Sequence, residues 1–140
     1  MKDRTFAIIK PDAVSKGHTG NIYGKIQKFN FNIIGAKLLQ MNQKQAEDFY
    51  EVHKEKSFFK ELIKFMTSGP CMVLALEKEN AVQAWRTSIG ATNPEEAEEG
   101  TIRRDFATNV QENAVHGSDS NENAQKEIAF FFLDSELLSN

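Results

Sequence analysis

Apolar positions in this chain fall into two patterns, short unbroken runs and stripes at helical spacing, and they alternate. Arg4 to Ile9 is rich in β-branched and aromatic residues and reads as a strand. Lys10-Pro11-Asp12 ends it, because proline cannot donate to a ladder, and a loop is expected there. Past Gly17, Gly20 and Asn21, the apolar residues Ile22, Ile26 and Phe29 recur at i, i+4 and i+7, the signature of a one-sided helix. Ile33 to Leu39 predicts a second strand, and Gln43 to His53 a helix with Ala46, Phe49 and Tyr50 facing inward. Phe59, Leu62, Ile63 and Met66 repeat the helical spacing before Ser68-Gly69-Pro70 stops it. The run Cys71 to Leu76 is short enough for a fully buried strand. Val82, Trp85 and Ile89 then stripe another helix, which Gly90 caps.

From Ala91 to Ser120 the periodicity fails, and a structureless segment of this length inside a compact domain points to function. Asn121 to Lys126 reads as a short helix and Ile128 to Leu133 as a last buried strand. The resulting βαββαβ order predicts an α+β, ferredoxin-like fold: an antiparallel four-stranded sheet with helices on one face and a long functional loop. The acidic run Glu95, Glu96, Glu98 and Glu99 reads as a solvated loop.

Composition narrows the class. The 140 residues suit one domain spanning 1–140, and 40% apolar content with eleven phenylalanines supplies a core. A formal charge of −3 argues against binding a nucleic-acid backbone, which needs many cations. A few cations focused in one cleft can still hold a small phosphate ligand. The first run is too short and too charged at its flanks for a signal peptide or membrane span, so no membrane partner and a cytoplasmic location are expected. The lone Cys71 reads as a small buried hydrophobe in a reducing compartment.

Three histidines are present, and no spacing typical of a zinc site accompanies them. His18, in a glycine-rich loop, and His53, among lysines, read as surface residues. His116 lies in the polar stretch His116-Gly117-Ser118-Asp119-Ser120, where Gly117 permits close backbone approach and its neighbours supply hydrogen-bonding groups. Imidazole becomes a good nucleophile when a partner fixes which nitrogen carries the proton, a role open to Glu127 or to a backbone carbonyl. Phosphoryl transfer also needs cations around the transferred group, and Lys10, Arg86 and Arg103 are available.

Together these segments closely resemble the nucleoside diphosphate kinases over nearly the whole chain. The resemblance rests on Thr5-Phe6-Ala7-Ile8-Ile9-Lys10-Pro11-Asp12, Ser68-Gly69-Pro70, Gly90-Ala91-Thr92-Asn93-Pro94, Gly100-Thr101-Ile102-Arg103 and Asn113-Ala114-Val115-His116-Gly117-Ser118-Asp119-Ser120, in the family's order and spacing. It implies a ping-pong cycle in which His116 takes the γ-phosphoryl of a triphosphate, mainly ATP, on Nδ1 and passes it to a diphosphate. By the same resemblance Lys10 and Arg103 face phosphates and sugar, Arg86 and Thr92 hold the β-phosphate, Asn113 bonds the ribose and Phe58 stacks on the base. Tyr50 matches a position lining the site, and Glu127 and Ser118 match residues that orient the nucleophile. Mg²⁺ is implied as a passenger of the nucleotide phosphates with no dedicated metal site, and the chain is expected to form a homo-oligomer, tetramer or hexamer. Ser57 stands where proline often precedes the stacking phenylalanine, and Arg104 adds a charge expected near the phosphate end. The competing expectation is a catalytically silent nucleotide-binding scaffold or sensor on the same fold, against which the intact histidine counts.

Overall fold

The computed structural model describes residues 2–138. Its strands are β1 (Asp3–Ile9), β2 (Asn32–Leu39), β3 (Cys71–Lys78) and β4 (Val115–Gly117), in one antiparallel sheet of order β2-β3-β1-β4. The helices are α1 (Pro11–Ser15), α2 (Thr19–Lys28), α3 (Gln43–Phe49), α4 (Phe59–Met66), α5 (Ala81–Ile89), α6 (Ile102–Phe106) and α7 (Asn121–Phe131). The α+β, ferredoxin-like class read from the sequence holds.

Four expectations are corrected. The helices cover both sheet faces, because the central strands β1 and β3 are buried along nearly their whole length and neither face of such a strand can be left to water. On one face Phe6, Ile8, Ile34 and Val73 pack with Ala46, Ile63, Met66, Ile128 and Phe131 from α3, α4 and α7. On the other, Ala7, Ile9, Leu74 and Leu76 pack with Ile22 and Ile26 of α2 and with Trp85 and Ile89 of α5.

The last apolar run is helical, not a strand: α7 continues to Phe131. Ala124, Ile128 and Phe131 share one buried helix face, whereas Phe130 is turned outward, so adjacent phenylalanines mimic a buried strand only in one dimension. The fourth strand lies inside the supposed loop and consists of Val115, His116 and Gly117. Lys10-Pro11-Asp12 also leads straight into helix α1, with Pro11 in the first turn, where its missing N–H costs no hydrogen bond. Cys71 is fully buried, and the acidic run at Glu95, Glu96, Glu98 and Glu99 is exposed, as expected.

Candidate active site

Strand β4 pairs His116 with Ile8 of the central strand, which puts the imidazole on the face shared with α3 and α7. Phe6 and Phe49 meet its ring edge-on, at centroid distances of 6.0 and 5.7 Å, and restrict its rotation. The ring Nε2 lies 2.8 Å from Glu127 Oε1. A carboxylate only accepts hydrogen bonds, so Nε2 carries the proton and Nδ1 keeps the lone pair. Ser118, fully buried, donates from Oγ to the same Glu127 oxygen at 2.7 Å. Of the two partners left open by the sequence for fixing the tautomer, the structure selects Glu127.

The backbone of β4 is held by side chains as well as by β1. Trp85 Nε1 on α5 donates to the His116 carbonyl at 3.1 Å, and Arg103 Nη2 on α6 donates to the Val115 carbonyl at 2.9 Å. Gly117 is where the indole fits: a Cβ there would lie 2.8 Å from Trp85 Cδ1, a ring backed by fully packed core. Gly117→Ala is therefore expected to lower stability by about 1–3 kcal/mol, read from a urea or thermal unfolding curve. Gly90 closes α5 with φ +88°, and a Cβ on it would fall 2.6 Å from Thr101 Oγ1, the hydroxyl that caps α6. That close approach lets Arg103 Nη1 reach the Gly90 carbonyl at 3.0 Å.

The site residues expected from the sequence converge. Lys10, Tyr50, Phe58, Arg86, Thr92, Arg103, Asn113, His116 and Glu127 all line one cleft of about 880 Å³, a volume suited to a nucleotide. Ser118 is not part of the cleft lining and is joined to it by its hydrogen bond to Glu127. A smaller groove of about 480 Å³, bounded by Lys2, Arg4, Asn121 and Asp134 among others, contains none of them. Arg104 departs from expectation: it is exposed and donates to the Glu95 carbonyl at 3.3 Å instead of entering the cleft, because it lies on the outer side of the short helix whose inner side carries Arg103. Val110 was not singled out by the sequence, and His53, read there as a surface residue, is half-buried because it packs between two aromatic rings of the cleft. Val110, 55% exposed, lines the cleft as Phe58 does, at 48%. His53 also lines it, between Tyr50 and Phe58, with ring centroids at 6.4 and 5.8 Å. No periodicity marks either residue.

Electrostatics favours an anionic guest. Burial and the neighbouring Arg103 lower the Lys10 pKa to about 8, and Lys10 Nζ donates to Asn113 Oδ1 at 2.8 Å. Burial, with Arg86 nearby, lowers Arg103 to about 10, and its Nε is buried without a hydrogen-bond partner among the described residues. Cations pressed together in this way gain from an incoming phosphate what they lose to one another. Burial also raises the Tyr50 pKa and keeps its phenol a donor, and burial, with Lys56 and His116, lowers that of His53.

A sequence model of the family described as nucleoside diphosphate kinase matches residues 3–137. The chain belongs to the nucleoside diphosphate kinase family. A nucleoside diphosphate kinase of Histophilus somni (strain 2336) is 56% identical over 135 residues, 96% of each chain. One of Geotalea uraniireducens (strain Rf4) is 54% identical over 136 residues, covering 97% of this chain and 99% of the relative. Among solved structures, the nucleoside diphosphate kinase of Aquifex aeolicus superposes with a TM-score of 0.96 at 41% identity, over 99% of this chain and 100% of that one. A halophilic nucleoside diphosphate kinase from Halobacterium salinarum, solved in complex with CDP, gives 0.94 at 35% identity, over 99% and 93%. The kinase moves the γ-phosphoryl group of a nucleoside triphosphate to a nucleoside diphosphate, and members of the family work with a divalent cation on the nucleotide. Among the described residues no helix is long and apolar enough to cross a membrane.

Proposed function

We propose that His116 is the phosphoryl carrier and that the cleft around it holds donor and acceptor nucleotides in turn. The observation that carries this reading is the Nε2–Glu127 bond, which leaves a lone pair on Nδ1 of a ring that lines the same cleft as Lys10, Arg86 and Arg103. Nδ1 attacks the γ-phosphorus, the bond from that phosphorus to the β-phosphate bridging oxygen breaks, and the diphosphate leaves. An incoming diphosphate then attacks the phosphohistidine through a terminal oxygen and restores the imidazole. Glu127, with Ser118 behind it, stabilises the charge that the ring gains on phosphorylation.

Lys10, Arg86 and Arg103 neutralise the phosphate oxygens, with Thr92 at the β-phosphate and Asn113 at the ribose. Arg103 has two of its nitrogens committed to the Gly90 and Val115 carbonyls, so it serves as a strut for β4 as well as a charge. Tyr50 supplies a phenolic donor near His116. Phe58 and Val110 offer apolar faces to the base without reading its hydrogen-bonding edge, which supports acceptance of all common bases. The CDP complex of the Halobacterium salinarum relative agrees with nucleotide binding by this fold. Mg²⁺ fits a cleft with several cations and few carboxylates, where an ion is better held by the nucleotide's own oxygens and water. When bound it screens the phosphate charge.

We further propose that the chain works as a single domain in the cytoplasm and assembles into a tetramer or hexamer. Strand β2 lies at the sheet edge with Leu38 63% exposed, a surface suited to another subunit.

The test is intact mass after ATP and Mg²⁺, under conditions that preserve acid-labile phosphohistidine, followed by GDP. One added phosphoryl group that GDP removes as GTP is expected. A folded protein that binds nucleotide but gains no phosphoryl group would instead be a scaffold or sensor. Phe58→Ala is expected to raise the KM for all common diphosphates together, by about 5- to 100-fold, the range that loss of one stacking partner covers, with kcat little changed. Steady-state kinetics with four different bases checks it, and a base-selective loss would overturn the stacking role.

A further inference from the structure

Asp12 was assigned no role in the sequence, yet its side chain reaches across 102 positions to the backbone beside the nucleophile. Its Oδ2 accepts the Ala114 N–H at 3.1 Å, and the residue is 5% exposed. Ala114 is a non-glycine residue with φ +73°. The Val115 N–H closes back on the Asn113 carbonyl at 2.8 Å, so residues 113–115 form a γ-turn of the rare, strained, positive-φ kind. That turn stands between Asn113, which lines the cleft, and His116.

A strained turn persists only when its surroundings over-determine it. Here the segment Lys10-Pro11-Asp12 does so from three directions. The Lys10 backbone N–H donates to the Ala114 carbonyl at 2.8 Å, Lys10 Nζ takes the Asn113 side chain, and Asp12 takes the Ala114 N–H. Without Asp12 that N–H is buried with no acceptor, and the alanine has a reason to leave the left-handed region.

We propose that Asp12 is a positioning residue for phosphoryl transfer: its carboxylate oxygen holds the Ala114 turn and, through the turn, the placement of Asn113 and His116. The proposal rests on His116 being the nucleophile. What the turn needs from Asp12 is an acceptor oxygen, not a negative charge. Burial raises the pKa of this carboxyl and the Ala114 hydrogen bond is first among the influences opposing that rise, which agrees with a group kept for its hydrogen bond.

The test compares Asp12→Ala, Asp12→Asn and the double variant Asp12→Ala/Ala114→Gly. His116 phosphorylation by saturating ATP and Mg²⁺ is followed in a single turnover, with nucleotide affinity measured separately. Asp12→Ala should phosphorylate about 10- to 100-fold more slowly, as expected when a reacting group is displaced by a fraction of an ångström to 1 Å, and affinity should fall by less. Asp12→Asn should recover most of the loss, since its amide oxygen still accepts. The double variant should also recover in part, because glycine adopts φ +73° without strain and its turn needs less support. If Asp12→Ala does not fold, Asp12→Asn and the double variant still carry the comparison, and both must phosphorylate.

Folded Asp12→Ala reacting at the wild-type rate would overturn the proposal. So would Asp12→Asn as slow as Asp12→Ala, which would place the effect in the charge beside Lys10, or a double variant with no recovery. Wild-type protein run alongside keeps the two readings apart: if it forms no phosphoenzyme, the assignment of His116 falls and this proposal with it.

Discussion

Replacing His116 with alanine is expected to abolish both the phosphoenzyme and exchange between ATP and GDP, with turnover reduced by about 10⁴-fold or more. The size of the loss follows from the role: without Nδ1 no protein atom is left to accept the phosphoryl group between the two half-reactions. The fold should survive, since the imidazole borders the open cleft and β4 keeps its backbone bonds to Trp85 and Arg103. Radiolabelled ATP with acid-lability of the protein-bound label checks the first half-reaction, and GTP formation from GDP the second. Exchange at the wild-type rate in this variant would end the covalent mechanism.

Lys10→Ala should reduce kcat/KM by about 10²- to 10³-fold, the range for losing one preorganised charge at a developing anion. The same residue predicts a pH dependence with a definite sign. With a pKa near 8 in the folded chain against 10.5 ordinarily, Lys10 loses its charge as pH rises through 8, so kcat/KM of the free enzyme should fall there. Stability should move the other way. Between pH 8 and 10.5 the unfolded chain holds a proton at this position that the folded chain has lost, so Lys10's contribution to stability rises across that window. Activity that falls while the unfolding midpoint does not would separate titration of Lys10 from denaturation. A kcat/KM profile flat from pH 7 to 9 would remove Lys10 from the phosphate site.

Much of the molecule was legible in one dimension because its signals are local. The stripes Ile22-Ile26 and Trp85-Ile89, the stop at Ser68-Gly69-Pro70 and the buried run from Cys71 require only helical or strand period and turn chemistry, and the elements stand where those place them. The reading failed where local pattern is degenerate. Phe130-Phe131-Phe132 suits a strand as well as the end of a helix, and the choice depends on which neighbours are there to be covered. The three-residue strand β4 has no period to detect. It forms because β1 offers it an edge, and because Trp85 and Arg103 hold its carbonyls.

The sequence by itself determined the elements marked by clear periodicity as far as α5, the set of reactive groups and, through motifs in register, the family. A nucleophile, a carboxylate and several cations are properties of residue identity. Only the tertiary structure showed what leaves Nδ1 of His116 free, because the answer is a 2.8 Å contact of Nε2 with Glu127, eleven residues later on α7. It alone brought Lys10, Arg86 and Arg103 into one cleft and put Arg104 outside it. It alone joined Asp12 to Ala114. Hydrogen bonds and charge interactions act over a few ångströms of space whatever the distance along the chain, so residues far apart in sequence acquire their chemistry only when packing of the two cores sets them side by side.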